Sequence, residues 1–283
     1  MNKTIDTRPI MVSIRCATYN HAPYIRQCLD GFVMQKTNFR FEAIVHDDAS
    51  TDGTTEIVRE YAEKYPDIIK PMYEKENQYS RNLPAMNDAI NERLVGKYVA
   101  ICEGDDYWTA PQKLQNQFDY LEEHPECSMC FHPHYNLLPN GKMLQHIPRL
   151  KKEYYSVTDF ILRGEEFIST NSMFFLRKHY LRNSEKPEFW KASPAGDWPL
   201  TLYLAINGKV GYINEIMSVY RINSVGSWTM INNGSSQKMA HIIQKTFLSI
   251  NLFNKYTDGK YRFAIAIKKI RIKIRYYRRI IGV

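Results

Sequence analysis

Over its first 125 residues the chain alternates short apolar runs with amphipathic segments. Residues 11–16, 41–46, 68–73 and 97–102 are apolar runs of strand length. After the first run, Pro23 suits the first turn of a helix reaching about Gln35, with Ile25, Leu29, Phe32 and Val33 at helical spacing. The polar turn 47–53 opens a second helix to about Lys64, with Ile57, Val58 and Tyr61 inward and Thr51 or Asp52 as its cap. A third helix is expected near 85–94, and Leu114, Phe118 and Leu121 form a further helical stripe. Strands alternating with helices predict an α/β fold with a doubly wound, mostly parallel central sheet.

Beyond residue 125 the rhythm changes. Segments 128–136 and 167–176 predict strands, 199–207 a helix and 209–221 two short strands. This half predicts a mixed extension of the same sheet that holds a second substrate. The expected organisation is one domain over 1–228, with a nucleotide half of about 1–125 and an acceptor half of about 126–228. A C-terminal helical extension follows over 229–283.

Composition narrows the function. The formal net charge is +8, yet residues 255–283 alone hold ten Lys/Arg and one acid, Asp258. The other 254 residues carry 28 basic and 29 acidic groups. The body therefore lacks the basic surface of a nucleic-acid-binding protein, and the positive charge belongs to the tail. Within it, Phe263, Ile267, Ile270, Ile274, Tyr277 and Ile281 recur at steps of four and three. They predict a basic amphipathic helix that either lies on an anionic membrane or docks its stripe on the body. The polar N-terminus lacks a signal-peptide core, and no run of about 18 apolar residues occurs. Five cysteines, an odd number with two inside predicted strands, fit a reduced cytoplasmic protein. Cys127-x-x-Cys130 has no second pair at zinc spacing and reads as a strand-edge feature.

The densest chemistry is Glu103-Gly104-Asp105-Asp106, directly after the fourth apolar run. Three carboxylates within four residues repel one another, and a partly dry cleft raises that cost. Such a cluster is either a solvated turn or a site for a divalent cation such as Mg²⁺ or Mn²⁺ shared with substrate phosphates.

Four segments in order carry a resemblance. They are 12–20 (VSIRCATYN), 45–54 (VHDDASTDGT), 103–108 (EGDDYW) and Gly196-Asp197-Trp198 followed by a helix and Tyr220-Arg221. Over residues 11–221 the chain resembles the family 2 glycosyltransferases of GT-A fold, bacterial surface-polysaccharide type. The resemblance implies an inverting, metal-dependent enzyme moving a sugar from a nucleotide-diphosphate donor, a UDP-sugar, to a glycan or lipid-linked acceptor. It implies a cytoplasmic protein peripheral on the inner face of the membrane. Rival readings are a nucleotidyl- or phosphotransferase using the same acids, and a non-catalytic scaffold of glycan assembly.

Carried onto this sequence, the resemblance implies roles residue by residue. Thr18, Tyr19 and Asn20 shape the nucleotide pocket, and Asp48 reads the base, with Asp47 supporting the turn. Asp105 and Asp106 hold Mn²⁺ or Mg²⁺, with one of them, assigned to Asp105, also on the ribose. Arg221 pairs with a phosphate. Asp197 is the general base, or the cap of the following helix. Trp198, His132, His134, Asn171 and Trp228 face the acceptor. Two departures stand out: the acidic motif opens with Glu103 where Asp is frequent, and Asn223 stands where many relatives carry His, with Ser224, Ser227 and Trp228 available to share that role.

Overall fold

A computed structural model describes residues 6–148, 152–164, 167–224 and 236–281, without the side chains of 236 and 276–281. The first half runs β1 (Ile10–Thr18), α1 (Ala22–Val33), β2 (Arg40–Asp47), α2 (Thr54–Lys64), β3 (Ile69–Tyr73), α3 (Gln78–Arg93), β4 (Tyr98–Ile101), β5 (Tyr107–Trp108) and α4 (Lys113–Glu123). The second half continues through β6 (Cys127–Phe131), β7 (His134–Leu137), β8 (Met143–His146), β9 (Tyr154–Tyr155), α5 (Val157–Arg163), β10 (Phe174–Leu176), α6 (Glu188–Lys191), α7 (Asp197–Ile206), β11 (Lys209–Tyr212) and β12 (Ser218–Arg221). Two long helices close it, α8 (Ser236–Tyr256) and α9 (Arg262–Ile281).

The main sheet has the order β3-β2-β1-β4-β10-β6-β11-β9. β3, β2, β1 and β4 are mutually parallel, whereas β10 runs antiparallel to both β4 and β6. Helices on both faces bury the strands on both sides, which is why their sequences are near-continuous apolar runs. The chain proceeds outward from β1 to β3 and then returns to place β4 on the other side of β1. Open α/β sheets bind ligands at such a switch, beyond the carboxyl ends of the strands. The ends of β1 and β4 carry Thr18 and the acidic motif. A second sheet, β5-β12-β7-β8, stands beside it.

Several boundaries differ from expectation, each for a local reason. The predicted strand 128–136 is two strands in two sheets, divided at His132-Pro133, because Pro133 cannot donate to a ladder. The first part of 167–176 holds a 3-10 turn over Thr170–Ser172, and only Phe174–Leu176 is strand. The third helix starts earlier than expected, at Gln78, and bends at Asn82, two residues before Pro84. Neither Thr51 nor Asp52 is the cap of α2. Gly53 holds that place, while Asp52 accepts from the Thr54 N–H at 3.1 Å and, across the crevice, from Ala22 N–H at 2.9 Å. All five cysteines are free and buried, with Cys127 and Cys130 in β6 at the middle of the sheet rather than at an edge.

The tail departs from its expected geometry. Ala264 and Ile265 of α9 are buried in the same core as Phe160, Trp198 and Phe253, and Ile272 packs against it. The docked face is therefore a second one. Phe263, Ile267, Ile270 and Ile274 remain exposed. The side chains of Tyr277 and Ile281 lie outside the described residues. No helix of the described residues is long and apolar enough to cross a membrane.

Candidate active site

Two turns form the floor of the crevice, and hydrogen bonds stitch them together. Asp48 N–H donates to Thr18 O at 3.0 Å, Asn20 N–H to Ser50 Oγ at 2.9 Å, and Thr51 N–H to Asn20 Oδ1 at 2.9 Å. His21 N–H donates to Thr54 Oγ1 at 2.9 Å. Asn20 has φ +53°, a left-handed conformation that Asn tolerates better than most residues, so it shapes the turn through its backbone and its amide. Tyr19 is left 43% exposed at the rim, available for stacking, whereas Thr18 is buried. Asp47 supports the turn, accepting from both hydroxyls of Ser50 and Thr55. Asp48 is buried and already engaged: Gln78 and Tyr79 N–H donate to its two oxygens at 2.6 and 2.9 Å. It thus anchors the N-terminus of α3, where a carboxylate also meets the helix dipole.

The three acids of the motif have separated fates. Glu103 is turned back toward β1, where Arg15 Nη1 donates to its Oε1 at 2.7 Å and Ala17 N–H to its Oε2 at 2.9 Å. The longer side chain at the motif's first position is explained by this reach. Gly104 is required by close approach, since a Cβ there would lie 2.5 Å from Thr18 Oγ1 and 2.9 Å from His21 Nδ1. Asp106 points inward and is 2% exposed, with Arg221 N–H on its Oδ1 at 2.8 Å and Asn171 Nδ2 on its Oδ2 at 3.1 Å. Burial, and next the neighbouring Asp105 charge, push its carboxyl well above the usual range. Asp105 is half-buried, and its Oδ2 accepts from Ser224 Oγ. Of the two aspartates predicted at the metal, Asp105 is the more exposed and Asp106 is buried. Asp106 fastens the turn to β12.

Asn171 explains how Asp106 is held. It is fully buried and spends both amide hydrogens, on Asp106 and on Val219 O at 2.9 Å, while its Oδ1 accepts from Ser169 Oγ and Ser218 Oγ at 2.7 and 2.8 Å. With its four bonds made, it positions the acidic turn and does not face an acceptor. His132 and His134 are likewise buried. His134 stacks on His146 with centroids 4.7 Å apart, and burial pushes its pKa down to about 3. Burial also lowers His132 well below the ordinary histidine value. His132 Nδ1 lies 2.8 Å from Pro133 O, and its buried Nε2 has no hydrogen-bond partner among the described residues. Ser227 and Trp228 lie outside the described residues.

Arg221 is preorganised. Its guanidinium lies between the rings of Tyr24 and Tyr107, 4.9 and 5.1 Å from their centroids, and Nη2 donates to Gln27. Its Nε is buried without a hydrogen-bond partner. Asn223, exposed and at φ +55°, turns the chain so that Ser224 reaches Asp105.

Asp197 opens α7, preceded by Gly196, at a small cavity of about 10 Å³ lined also by Phe160, Gly164, Ile168, Trp198 and Thr201. It is the first residue of the helix rather than its cap, and its Oδ1 accepts from Trp198 N–H at 2.9 Å. Burial raises its pKa, and the charge of Glu103 adds to the rise. Trp198 is buried, with Nε1 on Phe160 O at 3.1 Å, and forms a wall of the cavity.

Two residues at the site escaped the sequence reading. Arg15 is a cation within an apolar strand, which itself signals a buried partner, and its Nη2 also donates to Asn87 Oδ1 at 2.8 Å. Lys113 is fully buried, 4.0 Å over the Trp108 ring, with Nζ on Gln117 Oε1 at 2.6 Å. Burial lowers its pKa to about 7. At the head of an ordinary amphipathic helix it gave no signal.

The model of "Glycosyl transferase family 2" matches residues 13–184. An uncharacterised protein of Mycobacterium tuberculosis is 37% identical over 221 residues, covering 77% of this chain and 60% of that protein. This chain thus spans about three fifths of the length of that relative. The Escherichia coli UDP-Glc:alpha-D-GlcNAc-diphosphoundecaprenol beta-1,3-glucosyltransferase WfaP is 30% identical over 112 residues, 40% of this chain and 41% of its own. The mannosyltransferase PcManGT of Pyrobaculum calidifontis, solved with GDP-Man and Mn²⁺, superposes with a TM-score of 0.61 at 21% identity, over 95% of this chain and 73% of that one. The family match, the sheet order and the turn-bound acidic motif agree, and the chain belongs to glycosyltransferase family 2, on the GT-A fold.

Proposed function

We propose that the protein is an inverting, metal-dependent glycosyltransferase that moves a sugar from a UDP-sugar to a glycan or lipid-linked acceptor in bacterial surface polysaccharide synthesis. The observation that carries this reading is the acidic turn at the end of β4, where half-buried Asp105 lies beside the Ser224 hydroxyl and the Arg221 backbone anchors the next residue, Asp106; Asp197, at the head of α7, is read as the base. Residues of about 1–125 serve the donor and of about 126–228 the acceptor, and the extension over 229–283 meets an anionic membrane surface at the cytoplasmic face.

The residues present fit a hard divalent cation. Asp105 offers carboxylate oxygen beside the Ser224 hydroxyl, and among the described residues no group of three His, Cys, Asp or Glu side chains is arranged to hold an ion. Mg²⁺ and Mn²⁺ commonly take one or two carboxylates and complete their shell with substrate phosphates and water. When bound, the ion neutralises charge developing on the departing diphosphate. Arg221, clamped between two tyrosines, supplies a fixed planar cation for the same phosphates. Tyr19 stacks on the base. Asp48, with lone pairs beyond those given to α3, accepts the imide N–H of uracil. Asp197 takes the acceptor's proton. Its raised pKa makes it a stronger base than an ordinary aspartate, and Trp198 limits water around it.

The WfaP name pairs a UDP donor with a lipid diphosphate acceptor, and PcManGT pairs a nucleotide sugar with Mn²⁺, which supports the choice of donor and ion here. The test is a donor screen with Mn²⁺ or Mg²⁺, following nucleoside diphosphate release by mass spectrometry. Release from a UDP-sugar that depends on the ion and on Asp105 is the expected result. Absence of release from every donor with every ion removes the reading.

A further inference from the structure

Helix α9 carries two apolar faces, and only one is used by the fold. Ala264, Ile265 and Ile272 seat it against the core, and Arg271 Nη1 donates to Leu162 O at 3.2 Å. On another side Phe263, Ile267, Ile270 and Ile274 are 73, 44, 57 and 48% exposed. Steps of four, three and four keep these residues within an arc of about 60° on a helix of 3.6 residues per turn. The same period sets Arg262 and Lys273 along one border of the row and Arg271 and Arg275 along the other, and all four are exposed.

We infer that this row is a lipid-insertion face, docking α9 in the plane of an anionic bilayer. The inference deepens the proposed function and rests on its reading of the Asp197 cavity as the acceptor side. Charge selects the occupant. Residues 262–281 hold eight Lys/Arg and no Asp or Glu. A second copy of this helix would bring like charges together. A polyanion such as nucleic acid would leave the apolar row unburied. An anionic bilayer satisfies both features, taking the apolar row below the headgroups and pairing the flanking cations with them. The docked face of α9 lies against α5, and α5 contributes Phe160 to the cavity that Asp197 lines. A bilayer-bound α9 therefore holds α5, and with it Phe160 of that cavity, close to the membrane in which lipid-linked acceptors are anchored.

The test uses the full chain, with vesicles of phosphatidylcholine alone and of phosphatidylcholine and phosphatidylglycerol in equal parts. Flotation is expected to recover the protein with the anionic vesicles only, and added salt is expected to weaken recovery, since exposed charges are screened within about 8 Å at physiological ionic strength. Ile267→Glu with Ile270→Glu is expected to weaken binding by more than about tenfold, because two large apolar groups lose their burial. The melting temperature should stay unchanged, as both residues are exposed. Arg262→Glu with Lys273→Glu, a second exposed pair, should also weaken binding. Equal binding to both vesicle types, or undiminished binding by both double variants, overturns the inference. So does a wild-type dimer in sedimentation that fails to bind vesicles and that the isoleucine variant dissolves. Nucleoside diphosphate release is measured in parallel on the same samples. If it persists while vesicle binding is absent, this inference fails alone. If no donor yields release, the proposed function fails.

Discussion

Arg15 donates from Nη1 to Glu103 Oε1 at 2.7 Å, joining the interior of β1 to the first acid of the motif. The pair is asymmetric: Arg15 is buried, and Glu103 is about one third exposed. Burial alone would favour a neutral arginine, but Tyr180 and then Glu103, which also accepts its hydrogen bond, keep its pKa above the ordinary value. Glu103 is therefore the counter-charge that allows a cation inside the sheet, and its role is architectural.

Glu103→Gln tests this directly. The variant keeps the length of the side chain but leaves the buried guanidinium without its anion. We expect a stability loss of about 1.5–3 kcal/mol, the range for a hydrogen bond to a charged group, with the lower end favoured by the exposure of Glu103. Chemical denaturation measures it. An unchanged midpoint would show that Arg15 is satisfied by Asn87 and water.

Asp105 and Asp106 are expected to behave differently despite being neighbours. Asp105→Asn should abolish Mn²⁺-dependent binding of UDP in calorimetry with little change in melting temperature, since among the described residues Ser224 alone hydrogen-bonds that carboxylate. Retained ion-dependent affinity in this variant would move the metal site elsewhere.

Asn171→Ala should destabilise the fold without touching the crevice. It strands Asp106 Oδ2, Val219 O and two serine hydroxyls in the interior. A buried polar group left unpaired costs about 1–3 kcal/mol, so the loss should be easily visible in urea denaturation. A loss under about 0.5 kcal/mol contradicts the sealed network.

For Asp197 the sign of the pH effect follows from its environment. Burial and the Glu103 charge raise its pKa above the ordinary carboxylate value. A general base works when deprotonated, so kcat/KM should climb as pH rises through that elevated pKa and fall below it. Asp197→Asn should lose about 10²- to 10⁴-fold in rate and erase this acidic limb, while UDP affinity stays near normal. The product's anomeric configuration, read by NMR, should be opposite to the donor's. Turnover near wild type, or retained configuration, would place the base at another residue or end the inverting reading.

Arg221→Lys should weaken UDP binding by about tenfold or more. A lysine ammonium cannot fill the slot between Tyr24 and Tyr107 or present two donors in one plane. Equal affinity in calorimetry would assign Arg221 to packing alone.

The sequence by itself determined the alternation of strands and helices up to about residue 125, its parallel character and the positions of the acidic and Gly196-Asp197-Trp198 motifs. These depend on local pattern: apolar runs of strand length, helical spacing of Ile25, Leu29 and Phe32, and charge clustered at a strand end. It also identified α9 as apolar along one stripe and basic elsewhere. Tertiary structure decided how each polar side chain spends its hydrogen bonds. Glu103, Asp105 and Asp106 are indistinguishable as a string of acids, yet one pairs with Arg15, one lies half-buried beside Ser224 and one is sealed by Asn171, a partner 65 residues away. Asn171, His132 and His134 looked available because polarity is visible in sequence and burial is not. Which apolar face of α9 docks was equally closed to a periodicity argument. Ile265 and Ile267 are both isoleucines on one helix, and only packing against α5 and α8 assigns the first to the core and the second to the surface.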